Sequence, residues 1–302
     1  MSVWVCGEAL VDVLPDGAQV GGGPANTAKA LARLGRSVEF IGGISRDHYG
    51  DQIAREMRHV GVDLRHSHFS EEPTATAKVT LDEKGSASYL FTTDDTATFD
   101  FSEDWLPDPS SLTPQVLHIG SLATIVKPGS HFLYEWAMKV AEFAPVVFDP
   151  NVRTSYLADR PRYVASVKRW ISISTLVKAS DDDLAWLYPD LDLLSAAKRW
   201  IDAGVEIVVI TRGPKGLMAV TAHEIIEVPG IVVDVIDTVG AGDTVGAVIV
   251  DAIVEHGIVN LRGDFLRDAL NCAALAAAIT CSRAGAQPPT KREIQAKEKN
   301  RA

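Results

Sequence analysis

Short apolar runs alternate with amphipathic stretches along most of the chain. Runs of three to five apolar residues are typical of buried strands, and apolar spacings of three and four are typical of helices. Strands are predicted over 3–6, 38–41, 116–119, 146–148, 175–179, 207–210 and 217–220. Helices are predicted over 27–34, 51–60, 130–143, 161–170, 194–203, 247–256 and 264–280. Strands that alternate with helices predict an α/β fold with a mostly parallel sheet covered on both faces.

One segment breaks this rhythm. Residues 74–81 alternate between polar and apolar positions, 82–85 have the composition of a turn, and 86–92 alternate back. This pattern predicts a two-stranded hairpin with one apolar face. Because an isolated hairpin is only marginally stable in water, that face has to cover the main sheet, a ligand or a second copy of the chain. We interpret 74–98 as a small β lid that could also form a dimer contact, although an edge hairpin of the main sheet fits the pattern nearly as well.

Polar and small residues follow the first predicted strand. Glu8 and Asp12 come at or just past its carboxyl end, and open α/β sheets bind ligands at that edge. Three glycines at 21–23 then precede a helix, and Asn26 in its first turn offers an amide side chain to the same place. Three consecutive glycines have a large entropic cost, which favours a ligand site over a plain junction between loop and helix. The chain from 291 onward is charged and is predicted to be frayed.

The segment 237–246 carries the strongest chemical signal. It lies between an extended apolar run, 231–236, and the helical stretch 247–256. The amides of 240–243 would point out of the first turn of a helix, where free N–H groups and the helix dipole favour an anion. A carboxylate there, Asp243, is suited to take a proton from a hydroxyl that attacks a phosphate. Taken alone, the segment is equally consistent with Asp243 acting only as a helix-start residue.

Composition narrows the class of protein. The 302 residues suit one large α/β domain, and 46% hydrophobic residues are enough to form a core. A formal net charge of −11 argues against nucleic acid as the main partner and gives no basic surface for a membrane. Cys6, Cys272 and Cys281 form no CxxC pair, which favours reduced thiols in a cytoplasmic protein. We expect neither a signal peptide nor a membrane span.

Two separate segments resemble the signatures of the PfkB family of carbohydrate kinases, also called the ribokinase family. The first is GGGPANTAKALARLG at 21–35 with GGISRDHYG at 42–50, and the second is DTVGAGDTVGA at 237–247. Within the family, GEALVDVLP at 7–15, VFDPNVR at 147–153 and KAS at 178–180 are most similar to the fructokinase branch. The resemblance implies a single ribokinase-like α/β kinase domain over 1–302, with the β lid inserted at about 74–98.

The resemblance also implies an activity and the residues that perform it. Members of the fructokinase branch transfer the γ-phosphoryl of ATP to a sugar hydroxyl with Mg²⁺, and a monovalent cation, often K⁺, activates them. The implied catalytic residues are the base Asp243 and the anion hole of Gly240, Ala241 and Gly242. The implied sugar-binding residues are Asp12, Gly22, Gly23, Asn26 and Arg153. The implied nucleotide-binding residues are Lys178, Ser180, Thr211, Gly213, Gly216 and Asn271. The implied cation-binding residues are Asp183, which would order Mg²⁺ through water, and Asp237, Val239, Arg283 and Gly285, which would hold the monovalent cation.

Some positions depart from the pattern of the family. Many relatives carry a glutamate where this chain has Asp183, which has a shorter reach, and 90–95 lack the Tyr-Arg pair of many fructokinases. The sugar therefore stays open between fructose and another substrate, namely 2-keto-3-deoxygluconate, ribose or a nucleoside. A non-catalytic sugar-binding protein is a further alternative, against which the intact 237–243 segment argues. A dinucleotide oxidoreductase ranks last, because no GxGxxG follows the first strand.

Overall fold

The computed structural model describes residues 1–15, 17–81 and 87–299, with side chains for all of these except 79–81 and 87–89. The strands of this part of the chain are β1 (Val3–Cys6), β2 (Leu10–Leu14), β3 (Gly17–Gly21), β4 (Val38–Ile41), β5 (Gly43–Ser45), β6 (His68–Ser70), β7 (Thr76–Leu81), β8 (Ala87–Thr92), β9 (Val116–Gly120), β10 (Val146–Asp149), β11 (Leu176–Ser180), β12 (Ile207–Thr211), β13 (Leu217–Val220) and β14 (Ile225–Val228). Its helices are α1 (Gly23–Arg33), α2 (His48–His59), α3 (Gly129–Ala141), α4 (Arg160–Ile171), α5 (Asp181–Leu187), α6 (Leu193–Asp202), α7 (Ala241–His256), α8 (Gly263–Cys281) and α9 (Lys291–Lys299).

The main sheet has eight strands in the order β14-β13-β12-β11-β10-β9-β1-β4. Strands β12, β11, β10, β9, β1 and β4 are parallel, whereas β13 and β14 are added antiparallel at one edge. Helices cover both faces, so the α/β fold with a mostly parallel, doubly wound sheet is confirmed. Each of the seven strands predicted for this sheet is present, within two residues of its predicted ends.

Alternate residues of each central strand pack into two separate cores. Val3 and Val5 of β1 point into the layer of α1, α2, α7 and α8, whereas Trp4 and Cys6 point into the layer of α3, α4, α5 and α6. This follows from the two-residue period of a strand that is buried on both faces. The α7 layer positions the carboxylate of Asp243, and the sheet supplies the strand ends below it.

A second sheet of four strands has the order β3-β2-β7-β8. The predicted hairpin is confirmed as the antiparallel pair β7 and β8, but it pairs in parallel with β2 rather than with an edge of the main sheet. The alternative of an edge hairpin is therefore wrong. The sequence analysis also missed β2 and β3, which form an antiparallel pair of their own. Ala75 and Ala77 on the predicted apolar face are buried, while Val79, Leu81, Ala87 and Tyr89 of that face lie outside the described side chains.

The extended apolar run 231–236 contains no strand, and Val232, Val235 and Ile236 are exposed. The predicted frayed tail is instead the helix α9. Thr290 and Glu293 cap its first turn reciprocally, and Ile294 is buried against the α7 and α8 layer, which fixes the helix in place. Among the helices of the described residues, none is both long and apolar enough to cross a bilayer.

Candidate active site

A cavity of about 460 Å³ lies where the carboxyl ends of several main-sheet strands face the second sheet. The starts of α1 and α7 close its sides. Its lining is polar around the centre and includes Glu8, Asp12, Gly22, Gly23, Asn26, Phe91, Ser121, Asn151, Arg153, Lys178, Val239, Gly240, Gly242 and Asp243. The carboxyl edge of a parallel sheet is the usual ligand site of this architecture. The structure therefore brings the predicted base together with all five predicted sugar-binding residues.

Asp243 lies in the first turn of α7, with 8% of its surface exposed. Gly240 precedes the helix in a left-handed conformation, with φ of 78°, and a Cβ at this position would lie 2.7 Å from the Cβ of Ala286. Only glycine suits both the left-handed conformation and the lack of space for a Cβ, and the turn that it allows directs the helix start toward the cavity. Burial raises the pKa of Asp243 to about 6, and the ammonium of Lys178 counteracts part of this increase.

The amides of this first turn have no carbonyl four residues earlier within the helix, as at any helix start. The amide of Ala241 donates to the carbonyl of Thr238 at 3.3 Å, so it is partly engaged within the turn. The amides of Gly242 and Asp243 follow it along the same turn, and Gly242 lines the cavity. Of the predicted anion hole, Gly240 and Gly242 line the cavity, whereas Ala241 does not.

Asn26 reaches Asp243 from the first turn of α1. Its Nδ2 donates to Asp243 Oδ2 at 2.9 Å, and both side chains are buried. Gly22 has φ of 103° at the helix start, and a Cβ on Gly23 would lie 2.9 Å from Asn151 Nδ2 and 3.4 Å from Asp243 Oδ1. The glycines of 21–23 therefore give α1 its entry angle and leave the space between it and Asp243 open.

Two more carboxyl groups line the cavity. Burial raises the pKa of Asp12, on β2, to about 6, and the guanidinium of Arg153 opposes it. Burial likewise raises the pKa of Glu8 to about 7, although Glu8 accepts hydrogen bonds from the hydroxyl of Ser121 and, at 3.0 Å, from the amide of Ala123. The sequence analysis noted Glu8 but gave it no role. Its position two residues past a buried strand was the available signal.

Two residues in strained backbone also line the cavity. Ser121 has φ of 58° and Asn151 has φ of 38°, which is uncommon for residues other than glycine. Ser121 follows β9 directly, and Asn151 comes two residues after the end of the neighbouring strand β10. Strain of this kind persists where the surroundings over-determine the conformation, and it is concentrated at functional sites.

Lys178 and Asp149 form an ion pair below the cavity. Lys178 Nζ donates to Asp149 Oδ2 at 2.7 Å, and the two side chains are only about 5% exposed. Burial lowers the pKa of Lys178, but Asp149 and Asp243 outweigh this effect, so its pKa lies above the ordinary value. Asp149 is a residue that the sequence analysis did not single out, because nothing in the sequence shows that β10 and β11 are neighbours.

The other predicted nucleotide-binding residues do not line the cavity. Ser180 caps α5, Thr211 ends β12, and Asn271 is exposed on α8. Gly213 and Gly216 flank a short turn with φ of 52° and 88°, and a Cβ on Gly216 would lie 2.1 Å from the carbonyl of Val228. Gly216 therefore has a packing reason for being glycine, independent of any ligand.

The predicted cation-binding residues make the following contacts. Asp237 accepts from the amides of Val239 at 3.0 Å and Gly285 at 2.9 Å, so its carboxylate joins the two turns that would supply carbonyl ligands. The side chain of Arg283 forms an ion pair with Glu293, so the main-chain carbonyl of Arg283 is the candidate cation ligand.

Asp183 accepts from the amides of Val152 at 2.7 Å and Ser180 at 2.8 Å. Each of its oxygens keeps a lone pair for a water molecule. Mg²⁺ in such sites is usually held by one or two carboxylates together with substrate phosphates and water. The residues present therefore fit an indirect magnesium site, and the described residues contain no cluster of three or more His, Cys, Asp or Glu side chains that could form a complete one.

Comparison with known proteins identifies the family. The profile of the pfkB family carbohydrate kinases matches residues 16–293. A fructokinase of Rhizobium leguminosarum bv. trifolii is 34% identical over 268 residues, which cover 85% of this chain and 81% of that protein. A fructokinase of Salmonella typhimurium is 30% identical over 85% of each chain.

Solved structures share the fold over nearly the whole chain. The fructokinase of Xylella fastidiosa with bound ATP superposes with a TM-score of 0.91 at 23% identity, covering 99% of this chain and 98% of that one. A double mutant of the fructokinase of Vibrio cholerae O395, bound to fructose, ADP and a potassium ion, superposes with a TM-score of 0.87 at 28% identity over 98% of both chains. With its ribokinase-like fold and an acidic cavity at the carboxyl edge of the sheet, the chain belongs to the pfkB family of carbohydrate kinases.

Proposed function

We propose that this carbohydrate kinase transfers the γ-phosphoryl of ATP to a hydroxyl of fructose, with Mg²⁺ and a monovalent cation as cofactors. The observation that carries this proposal is the position of Asp243. It is a buried carboxyl group in the first turn of α7, and it faces a polar cavity beside an amide donor, Asn26. A general base next to a helix start is the arrangement that phosphoryl transfer to an alcohol requires.

The proposed chemistry begins with the acceptor hydroxyl. Asp243, with a pKa of about 6, is ionised at neutral pH, yet it is basic enough to accept a proton as the new bond to phosphorus forms. Asn26 holds one oxygen of this carboxylate, which leaves the other for the hydroxyl. Proximity and orientation, rather than covalent catalysis, supply most of the acceleration in such a transfer.

The proposed anion hole spreads the charge of the transferring group. The amides of Gly242 and Asp243, the dipole of α7 and the Lys178 ammonium all favour negative charge at this place. Bound Mg²⁺ would neutralise charge on the phosphates, and Asp183 would order its water ligands. The other nucleotide-binding residues of this proposal are Ser180, Thr211, Gly213, Gly216 and Asn271.

Fructose is the proposed acceptor for two reasons. The relatives of highest identity reported above are fructokinases, and one of the fructokinase structures contains fructose. The carboxylates of Asp12 and Glu8, the amide of Asn26 and the guanidinium of Arg153 offer acceptors and donors suited to a polyol. Gly22 and Gly23 would allow the sugar to approach the main chain.

Two further parts of the proposal concern ions and assembly. The carboxylate of Asp237 with the carbonyls of Val239, Arg283 and Gly285 would hold K⁺ beside the anion hole. The second sheet would act as a lid on one domain spanning 1–302, and one of its edge strands could pair with a second copy to form a homodimer. A cytoplasmic location stays a prediction from the three free cysteines.

A panel of acceptors tests the proposal. ADP release is measured by a coupled assay with fructose, glucose, ribose, 2-keto-3-deoxygluconate and a nucleoside, each with and without Mg²⁺ and K⁺. Fructose is expected to give the highest kcat/KM, removal of Mg²⁺ to abolish turnover, and removal of K⁺ to reduce it. A higher kcat/KM with any other acceptor would contradict fructose as substrate. Absence of ADP release with every acceptor would contradict the kinase mechanism.

A further inference from the structure

We propose that Asp149 is a positioning residue that holds the Lys178 ammonium beneath the start of α7, where the ammonium keeps the base Asp243 ionised. This inference rests on the proposed function, since it concerns the charge state of the proposed base.

The geometry brings the three groups together. Phe148 pairs with Val177 in the register of β10 and β11, so Asp149 and Lys178 follow as neighbours at the strand ends. Their ion pair of 2.7 Å fixes the direction of the lysine side chain. A Cβ built on Gly242 would lie 3.1 Å from Lys178 Nζ, which puts the ammonium directly below the first turn of α7.

A positive charge next to the start of a helix, as Lys178 has here, is unusual. A helix N-terminus carries a partial positive charge, so a cation next to it is unfavourable in isolation. A buried ion pair also has a desolvation penalty that its attraction need not recover. The placement becomes favourable when anions converge on the ammonium, and Asp149, Asp243 and the transferring phosphoryl group are such anions. Buried charges with specific partners in a cavity are candidates for function rather than stability.

The remaining groups around Asp243 do not replace Lys178. Among the groups that favour the ionised form of Asp243, the charge of Lys178 has the largest effect. The Asn26 hydrogen bond and the charge of Arg153 act in the same direction, and the charge of Asp149 acts in the opposite one. Asp183, on α5, is a further negative charge that acts on Lys178.

His118, on β9, is a further titratable side chain next to α7, since a Cβ on Gly246 would lie 3.5 Å from its Nε2. Both of its ring nitrogens lack a hydrogen-bond partner among the described residues, and burial lowers its pKa to about 3. It is therefore neutral in the working range and contributes no charge. Lys178 thus remains the only cation among the described residues that is both fully buried and adjacent to Asp243.

The test measures the acid limb of kcat/KM for the sugar as a function of pH. In Lys178→Met this limb is expected to move to higher pH by about one unit, as is typical for loss of an adjacent opposite charge. Lys178→Arg keeps the charge and is expected to retain the wild-type limb. In Asp149→Asn the ammonium loses the partner that positions it. Because Lys178 affects the pKa of Asp243 more than Asp149 does, the limb is expected to move to higher pH while kcat falls.

A role confined to nucleotide binding gives a different result. It would raise KM for ATP in Lys178→Met and leave the limb in place, which would overturn the proposal. An Asp149→Asn limb that stays in place or moves to lower pH would show that Lys178 keeps its position without the ion pair, and this would overturn the part assigned to Asp149. Where circular dichroism shows that Lys178→Met is unfolded, Lys178→Gln takes its place with the same expected shift. The control Glu56→Gln neutralises the partner of another buried lysine, Lys29, and is expected to leave the limb unchanged.

A measurement without turnover separates this inference from the proposed function. The ¹³C resonance of the Asp243 carboxyl is titrated by NMR in the wild type and in Lys178→Met. A higher pKa in the variant supports the inference even where no acceptor is phosphorylated. Equal pKa values in the two proteins overturn it, whatever the outcome of the acceptor panel.

Discussion

At the scale of single residues, Asp243 and Asn26 form the contact on which the proposed chemistry depends. Their side chains are separated by more than two hundred positions in sequence and meet at 2.9 Å. Both were predicted, because each lies in a glycine-rich segment that opens a helix. These two short segments show which residues can contact an anion or a sugar, because the backbone freedom of glycine and the free amides of a helix start both depend on local sequence.

Replacement of Asp243 by asparagine tests the proposed base. Asp243→Asn is expected to lower kcat by at least ~10²-fold, because the amide cannot accept the proton of the hydroxyl. Nucleotide affinity, measured by calorimetry with ADP, is expected to be largely retained. The matched control Asp251→Asn removes a carboxylate two turns later on the same helix and should keep full turnover. Full turnover in Asp243→Asn would contradict the role of this residue.

Glu8 and Asp149 show where prediction from sequence fails at this scale. Glu8 has a raised pKa because the fold buries it against Ala123, and Asp149 forms its ion pair because β11 brings Lys178 beside it. Both properties arise from contacts between distant segments. A single sequence contains the residue types but not the neighbours that shift their pKa values.

At the scale of elements, the strength of the local pattern decides what could be predicted. The parallel strands of the main sheet are continuous apolar runs and were found. Strands β2 and β3 were missed, although the sequence Pro15-Asp16-Gly17 has the composition of a turn. The run 231–236 has the composition of a strand but is exposed, since strand formation depends on a partner edge that composition does not reveal.

The start of α7 makes a prediction about Gly240. In Gly240→Ala, the new Cβ meets Ala286 at 2.7 Å in a left-handed backbone conformation, so the helix start has to shift. We expect kcat/KM to fall by about 10²-fold, the size expected for a displacement of about 1 Å at a reacting group. The control is Gly35→Ala, which has φ of 89° but no neighbour within 4 Å of its Cβ. It should lose some stability but no activity, and equal losses of activity in the two variants would contradict the argument.

Helix α9 makes a prediction about stability. Ile294 is 3% exposed and anchors the helix to the α7 and α8 layer. Ile294→Ala is expected to lower the free energy of unfolding by about 2–4 kcal/mol, through lost burial and a cavity. Denaturant unfolding measures this change, and Gln295→Ala, exposed on the same helix, should have an effect within about 0.5 kcal/mol. A value for Ile294→Ala as small as that of the control would mean that the tail is frayed after all.

At the scale of the whole molecule, the active site opposes stability. Glu8, Asp12 and Asp243 are held together in one buried cavity, and burial raises their pKa values to about 7, 6 and 6. The unfolded chain ionises carboxyl groups near pH 4. Between these limits the folded state binds more protons than the unfolded state, so the three groups make the free energy of unfolding decrease as pH rises. Their contribution is fully present below about pH 4 and is lost as pH rises through their folded pKa values of about 6 to 7.

Other groups limit the size of this effect without reversing it. His118 acts in the opposite direction below its unfolded pKa of about 6.5, because burial lowers its folded pKa to about 3. Glu293 has its pKa lowered to about 2 by the amide of Thr290, so its contribution changes only below about pH 4. Three carboxyl groups against one imidazole leave a net gain in stability on acidification from about pH 7.5 to about pH 5.

Thermal unfolding of the ligand-free protein over this pH range measures the net effect of the three carboxyl groups and His118 on stability. The melting temperature is expected to rise on acidification toward pH 5, whereas the proposed kinase activity falls as Asp243 takes up a proton. Glu8→Gln cannot ionise and should flatten the slope above about pH 6, where only the most raised of the three pKa values acts. A melting temperature that increases steadily from about pH 5 to 7.5 would show that the carboxyl groups are solvated. That result would contradict the low-dielectric cavity on which the proposed base depends. The opposite trends in stability and activity therefore have one origin, the burial of acids where a hydroxyl has to be activated.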